Sequence, residues 1–254
     1  MLAGAANFRA VAPYKAADGK TLRVGTLYRS GELSRLTEAD LKAISALNIR
    51  LICDLRSARE QTEFASRWPA APVPRRLDLP DRGETDAGPH KIFELIVSNP
   101  GSTGAVKAMQ ALYRRKPHAY ANGLKILVET IVQGDALPLL VHCHAGKDRT
   151  GFITAMLLAA VGVSKADIID DYLKTATFYT VERESLAITK WAKQSFNHEI
   201  DPASALPLVD TRPEYLEAAF QEIDTLWGGI DPYLQNAAAL TSDLREALKA
   251  QLLA

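Results

Sequence analysis

Apolar residues along the chain fall into short unbroken runs, separated by longer stretches in which they recur every three or four positions. The short runs predict strands and the periodic stretches predict amphipathic helices. Residues 24–28 are β-prone and lie among the glycines at 19 and 25, which predicts a strand. Residues 49–55 (Ile-Arg-Leu-Ile-Cys-Asp-Leu) predict a buried strand, and the proline-rich stretch 69–80 has room for one more at 75–79. Residues 139–143 (Leu-Leu-Val-His-Cys) show no alternation, as expected of a central parallel strand buried on both faces.

Helices are marked by caps as well as by period. Thr37-Glu-Ala-Asp40 reads as a capping box ahead of Leu41, Ile44, Ala46 and Leu47, and Ser57-Ala-Arg-Glu60 as a second one. Pro117 suits the first position of a long helix that runs to about Gln133 and closes at Gly134. Further helices are predicted at 150–161, 164–175, 178–194, 213–227 and 241–253, while the Pro/Gly-rich stretches 80–104 and 200–213 read as loops. With no internal repeat, this order predicts a single α/β domain over residues 1–254, with a central parallel sheet and a helical C-terminal half.

Composition narrows the function classes. Of 254 residues, 47% are apolar, enough for a full core and too many for a disordered chain. Thirty basic residues balance thirty acidic ones, which argues against a general nucleic-acid or membrane binder but allows a local positive site. The longest apolar run, residues 152–163, is well short of the roughly 20 residues a membrane-spanning helix needs. The N-terminus turns polar too soon for a signal peptide, so a cytoplasmic protein is expected. Two cysteines exclude a disulfide framework and a multi-cysteine zinc site.

Those two cysteines carry the chemical question. Each heads a string of Cys, five residues, Arg: Cys53 to Arg59 and Cys143 to Arg149. The context favours the second, His142-Cys-His-Ala-Gly-Lys-Asp-Arg-Thr-Gly151. A phosphate needs converging backbone N–H groups, and Gly146 permits the tight curl they require. The loop leaves a predicted strand and enters a predicted helix, whose N-terminal N–H groups and dipole favour a thiolate at Cys143 and an anion above it. Arg149 offers a planar bidentate fork for two phosphate oxygens. Thr150 can place a hydroxyl near the sulfur and help it leave. A Walker-type nucleotide loop fails, because Asp148 follows Gly146-Lys147 and position 141 is Val. A zinc site fails for lack of convergent ligands, and neither a metal nor a cofactor is expected.

The string His-Cys-x-x-Gly-Lys-Asp-Arg-Thr-Gly resembles the signature loop of cysteine-dependent phosphatases, the protein-tyrosine-phosphatase superfamily. More narrowly, it is similar to the bacterial tyrosine phosphatases related to mycobacterial secreted tyrosine phosphatase B. Asn7-Phe-Arg9, Leu27-Tyr-Arg-Ser-Gly31, Leu33-Ser-Arg-Leu-Thr37, Asp54-Leu-Arg-Ser57 and Arg212-Pro-Glu-Tyr-Leu216 resemble that family's recurrent segments in the same order. The resemblance implies a mostly parallel sheet of four or five strands flanked by helices. It also implies hydrolysis of phosphomonoesters through a phosphocysteine, on phosphotyrosine proteins and also on phosphoserine/threonine proteins and phosphoinositides. Secretion without a signal peptide, known among relatives, stays open.

On that reading Cys143 attacks phosphorus and Arg149 stabilises the equatorial oxygens. The loop residues His144, Ala145, Gly146, Lys147, Arg149 and Thr150 cradle the phosphate ion. The general acid is Asp148 by first preference, inside the loop as in the resembled family, or Asp54 at a strand end; Asp78 and Asp81 are weaker options. The bland reading of Asp148 is that it tempers the loop's charge or caps the next helix. Lys147 is either an extra cation for the substrate or a solvated loop residue. His142 is expected to hydrogen-bond loop backbone. Cys53 is either a small core residue or a reversible disulfide partner. Arg29 and Arg56 either approach the site or brace strand ends. The segment 91–116 is either a lid or ordinary packing. The rival readings are a catalytically inactive phosphate-binding module and an arsenate reductase- or sulfurtransferase-like enzyme. Arsenate reductases carry their loop near the N-terminus, whereas more than half of this chain precedes it. The Arg-Thr-Gly ending argues against a sulfurtransferase.

Overall fold

The computed structural model describes residues 2–79, 89–178, 181–196 and 199–254. Its strands are β1 (Arg9–Ala10), β2 (Leu27–Ser30), β3 (Leu51–Asp54), β4 (Arg75–Asp78) and β5 (Leu139–His142). They form one sheet in the order β1-β2-β5-β3-β4, in which only β1 runs antiparallel to its neighbour. The mostly parallel sheet inferred from the sequence is therefore present, with five strands. β2, β3 and β5 are buried along their whole length, so their side chains divide between two faces instead of between core and water. Leu51, Cys53, Leu139 and Val141 join the larger core with the long helices. Ile52 and Leu140 point the other way, toward Phe8, Leu33, Leu36 and Ile44.

The helices are α1 (Glu38–Ser45), α2 (Ala58–Glu63), α3 (Pro89–Ser98), α4 (Ser102–Val132), α5 (Asp148–Ala160), α6 (Lys165–Leu173), α7 (Val181–Phe196), α8 (Pro202–Val209), α9 (Pro213–Trp227) and α10 (Ser242–Leu252). Both capping boxes are formed, by Thr37 with Asp40 and by Ser57 with Glu60. α4 lies against α8, α9 and α10, and α5 runs from β5 through the middle of the core, buried from Thr150 to Ala160.

Four expectations need correction. The strand placed at 24–28 begins instead at Leu27, where pairing with Leu139 starts; Val24 is exposed and Gly25 turns the chain at φ +74°. Pro117 does not open a helix but sits inside α4. Upstream residues Ala105, Ala108, Met109 and Tyr113 bury on the core, and the Tyr233 hydroxyl donates to the Pro117 carbonyl at 2.8 Å. Packing outweighs the lost backbone donor. The supposed loop 80–104, of which 80–88 lie outside the described residues, contains α3, and the supposed loop 200–213 contains α8. Pro89 and Pro202 stand at helix starts, where a missing N–H costs nothing, and Asp201 caps α8 through the Ser204 N–H. In the segment 91–116, Ala105, Ala108, Met109 and Tyr113 pack in the core.

Asp40 pins the N-terminal segment as well as α1. Its carboxylate accepts from the N–H groups of Thr37, Ala3 and Gly4 and from the Thr37 hydroxyl. The Thr37 N–H leads these donors in holding the carboxyl at about 2 against the opposing effect of burial. A depressed carboxyl contributes stability above its unfolded value that is lost as pH falls through the folded one. Asp40→Asn should therefore be less stable than the native chain above about pH 4, with the gap closing toward pH 2. Urea titrations across that window measure it, and a gap that widened on acidification would contradict the assignment.

Candidate active site

The strand–loop–helix segment folds so that two of the loop's carbonyls are bonded from outside. The His144 carbonyl accepts from the Glu32 N–H at 2.8 Å. The Gly146 carbonyl accepts from Asn7 Nδ2 at 2.7 Å and from Arg29 Nη2 at 2.9 Å. A peptide unit whose carbonyl turns out sends its N–H the opposite way, as an anion-binding loop requires. The Gly146 N–H donates to Cys143 Sγ at 3.2 Å. Gly146 has φ +68°, and a Cβ there would stand 2.5 Å from the Ser30 carbonyl and the Gly31 nitrogen. Only glycine fits. The first turn of α5 follows with Lys147 at its N-cap and no side-chain cap, so Asp148 lies within the helix and does not cap it. Its first-turn N–H groups have no intrahelical acceptor and face the loop.

Arg149 is oriented by a residue the sequence marked only as a cap. Its Nη1 and Nη2 donate to the two carboxylate oxygens of Glu60, each at 2.7 Å. The same Glu60 accepts the Ser57 N–H that starts α2. Burial pushes the Glu60 carboxyl up, but Arg149 and the Ser57 donors outweigh it and hold it at about 2. Asp148 has its Oδ1 bonded by the Tyr113 hydroxyl at 2.6 Å, and its side chain is 23% exposed.

Asp54 is elsewhere in character. It is buried and accepts Arg56 Nε at 2.9 Å, Arg56 Nη2 at 2.8 Å and Arg76 Nη2 at 3.1 Å, with His142 Nε2 at 3.5 Å. Burial pushes its carboxyl up, yet His142 and Arg56 overcome this and leave it far below the usual range. A carboxylate so held has no proton to give at neutral pH, so the expectation that Asp54 is an acid is corrected. Asp78 is bound by Arg76 Nε at 2.7 Å on the outermost strand, and Asp81 lies outside the described residues. The His142 side chain meets Asp54, not loop backbone, and its buried Nδ1 has no partner among the described residues.

The model of the tyrosine phosphatase family matches residues 1–254. The chain belongs to the tyrosine phosphatase family. It is 35% identical to the triple specificity protein phosphatase PtpB of Mycobacterium tuberculosis, over 93% of this chain and 92% of that one. It is 33% identical to a candidate tyrosine-protein phosphatase of Cupriavidus necator, over 91% of this chain and 81% of the other. The crystal structure of P. aeruginosa TpbA covers 81% of this chain at 16% identity and a TM-score of 0.38, too distant to bear on the site.

In this phosphatase the positive charge of the loop is arranged differently from the sequence reading. Lys147 is neither a solvated residue nor a cation over the loop: its buried ammonium donates to the carbonyls of Leu208 at 2.7 Å and Asp210 at 2.9 Å, at the end of α8. His144 packs edge-on against Phe64, and burial lowers its pKa, which leaves the ring neutral. The Thr150 hydroxyl is buried with no hydrogen bond among the described residues, so none reaches the sulfur. Cys53 is fully buried and free, its thiol pushed up by burial and by the charges of Asp54 and Asp78. It pairs in register with Val141, so Cys143 lies two residues farther along. Both cysteines are buried and free. Arg56 braces a strand end; Arg29 does both things expected of it, pairing with Asp171 and reaching the loop.

Two variants test the loop. Gly146→Ala forces backbone against backbone and should lower turnover of p-nitrophenyl phosphate by about 10²-fold, the usual effect of misplacing a site by an ångström. Glu60→Gln removes the charge that fixes the Arg149 plane and should lower kcat/KM roughly 10-fold or more. Wild-type kinetics in either variant would count against the corresponding contact.

Proposed function

We propose that this phosphatase hydrolyses phosphomonoesters through a phosphocysteine at Cys143. Its substrates are phosphotyrosine proteins first, with phosphoserine/threonine proteins and phosphoinositides as further ones. The observation that carries this reading is the loop whose carbonyls are bonded outward, with the Cys143 sulfur under the Gly146 N–H and the uncapped start of α5 behind it. The wider substrate range draws on the triple specificity named for the mycobacterial relative.

In the first step the Cys143 thiolate attacks phosphorus, an S–P bond forms and the P–O bond to the leaving group breaks. Arg149 and the loop N–H groups take the charge on the three equatorial oxygens. Asp148 gives its proton to the departing oxygen. In the second step Asp148 takes a proton from water, the water oxygen attacks phosphorus, and the S–P bond breaks to release inorganic phosphate and the thiolate. Asp148 suits the acid role because one of its oxygens is anchored and its side chain reaches solvent. The chemistry needs reduced Cys143, which fits a cytoplasmic setting.

Cys143→Ser should abolish hydrolysis of p-nitrophenyl phosphate. Surviving activity would remove the nucleophile from Cys143, and an inert unmutated protein would favour a phosphate-binding module. Asp148→Asn should cost about 10²–10⁴-fold on a phosphoserine peptide and less on p-nitrophenyl phosphate, whose leaving group needs little protonation. Equal losses on the two substrates would deny Asp148 the acid role.

A further inference from the structure

From the contacts around Asp148 we infer that Tyr113 and Tyr172 are positioning residues that fix which oxygen of Asp148 carries the transferable proton. The inference rests on Asp148 being the acid. Tyr113, on α4, donates its only hydroxyl proton to Asp148 Oδ1 at 2.6 Å. Its oxygen lies 2.7 Å from the Tyr172 hydroxyl, on α6. Because the Tyr113 proton is already committed, Tyr172 is the donor in that second bond, and the chain runs Tyr172 to Tyr113 to Asp148. Both phenols are buried, and their rings meet edge to face at 6.0 Å. Burial, reinforced by the Asp148 charge, pushes both hydroxyls well above their ordinary range, so they stay protonated as donors.

An accepted hydrogen bond on Oδ1 leaves the acid proton to Oδ2, for which no hydrogen bond is present among the described residues. When that proton passes to the leaving oxygen, negative charge develops on the carboxyl and the Tyr113 bond strengthens. It therefore stabilises the transition state more than the ground state, which is what raises kcat. In the second step Oδ2 takes the proton from water while Oδ1 keeps its donor.

The site explains two further features. A Cβ on Gly151 would stand 2.9 Å from the Tyr172 ring, so the glycine that ends the signature string is what lets that ring lie against α5. Next to Tyr172, Asp171 bonds Arg29 at 2.7 Å, and Arg29 holds the Gly146 carbonyl. One dipeptide of α6 thus supports both the phosphate loop and the acid.

The test compares Tyr113→Phe, Tyr172→Phe, Asp148→Asn and the double variant Tyr113→Phe/Asp148→Asn on a phosphoserine peptide and on p-nitrophenyl phosphate. Tyr113→Phe should lower kcat on the peptide about 3- to 10-fold, with less effect on the aryl ester and little on KM. Tyr172→Phe should act in the same direction but more weakly, and it carries the test if Tyr113→Phe fails to fold. In the Asp148→Asn background the phenylalanine should have no further effect, since the two residues act as one unit. A loss equal on both substrates, or one that persists without the Asp148 carboxyl, overturns the inference and marks the tyrosines as merely structural. If Asp148→Asn cripples peptide hydrolysis while Tyr113→Phe and Tyr172→Phe are silent, the inference fails alone. If Asp148→Asn is itself silent on the peptide, the acid assignment fails and the inference with it.

Discussion

The site depends on where the Gly146 carbonyl points. Held by Asn7 and Arg29, it faces away from the centre of the loop, and a peptide unit that sends its carbonyl outward must send the following N–H inward. Neither donor belongs to the loop: Asn7 stands just before β1 and Arg29 lies in β2. Arg29 is in turn fixed by Asp171 in a buried pair. Such a pair is weak evidence for stability, because desolvation offsets much of the attraction. Its value here is directional, since a guanidinium bound on one edge by Asp171 presents another edge to one loop carbonyl. The glycine at 146 completes the constraint, because any Cβ would push the loop off the Ser30–Gly31 backbone it rests on.

This arrangement changes how an anion site in a neutral chain is to be understood. The sequence reading set His144, Lys147 and Arg149 around the phosphate. In the fold, His144 is held neutral by burial, the Lys147 ammonium is taken up by two carbonyls at the end of α8, and Arg149 is paired with Glu60. Beside Arg149, what is directed at the loop is backbone, the uncapped start of α5 above all. These dipoles are fixed in place before any charge arrives, and preorganised dipoles stabilise a transition state without reorganising. Glu60 adds to this by setting the plane of the guanidinium from a capping box that already fixes the Glu60 side chain.

The features legible in the sequence were those whose cause is local. Both capping boxes, the buried run of β5 and the glycine in the loop each follow from residues within a few positions of one another. The features that were not legible are contacts across the chain: Arg149 to Glu60 over 89 residues, Arg29 to Asp171 over 142, Lys147 to Leu208 over 61 and Tyr113 to Asp148 over 35. No spacing rule encodes these. Asp54 shows the converse error. A carboxylate at the C-terminal end of a parallel strand is where catalytic groups gather, but Arg56 two residues on and Arg76 on the next strand turn it into a fixed anion. Pro117 misled for a similar reason: a local signal for a helix start was overruled by burial on both sides of it.

The proposed acid, Asp148, stands between Lys147 and Arg149 and has to be oriented in both of its protonation states. Lys147 Nζ pairs with Oδ1 at 3.6 Å and gives two of its three protons to the carbonyls at 2.7 and 2.9 Å, while Arg149 turns one N–H of each Nη to Glu60. The hydrogen-bond donor to Asp148 Oδ1, at 2.6 Å, is a neutral phenol. A phenol donates to the carbonyl oxygen of a carboxylic acid and to a carboxylate alike, so it orients the group in both protonation states. The hydroxyl of Tyr113 thus orients the proposed acid, while the carbonyls at the end of α8 fix the ammonium beside it.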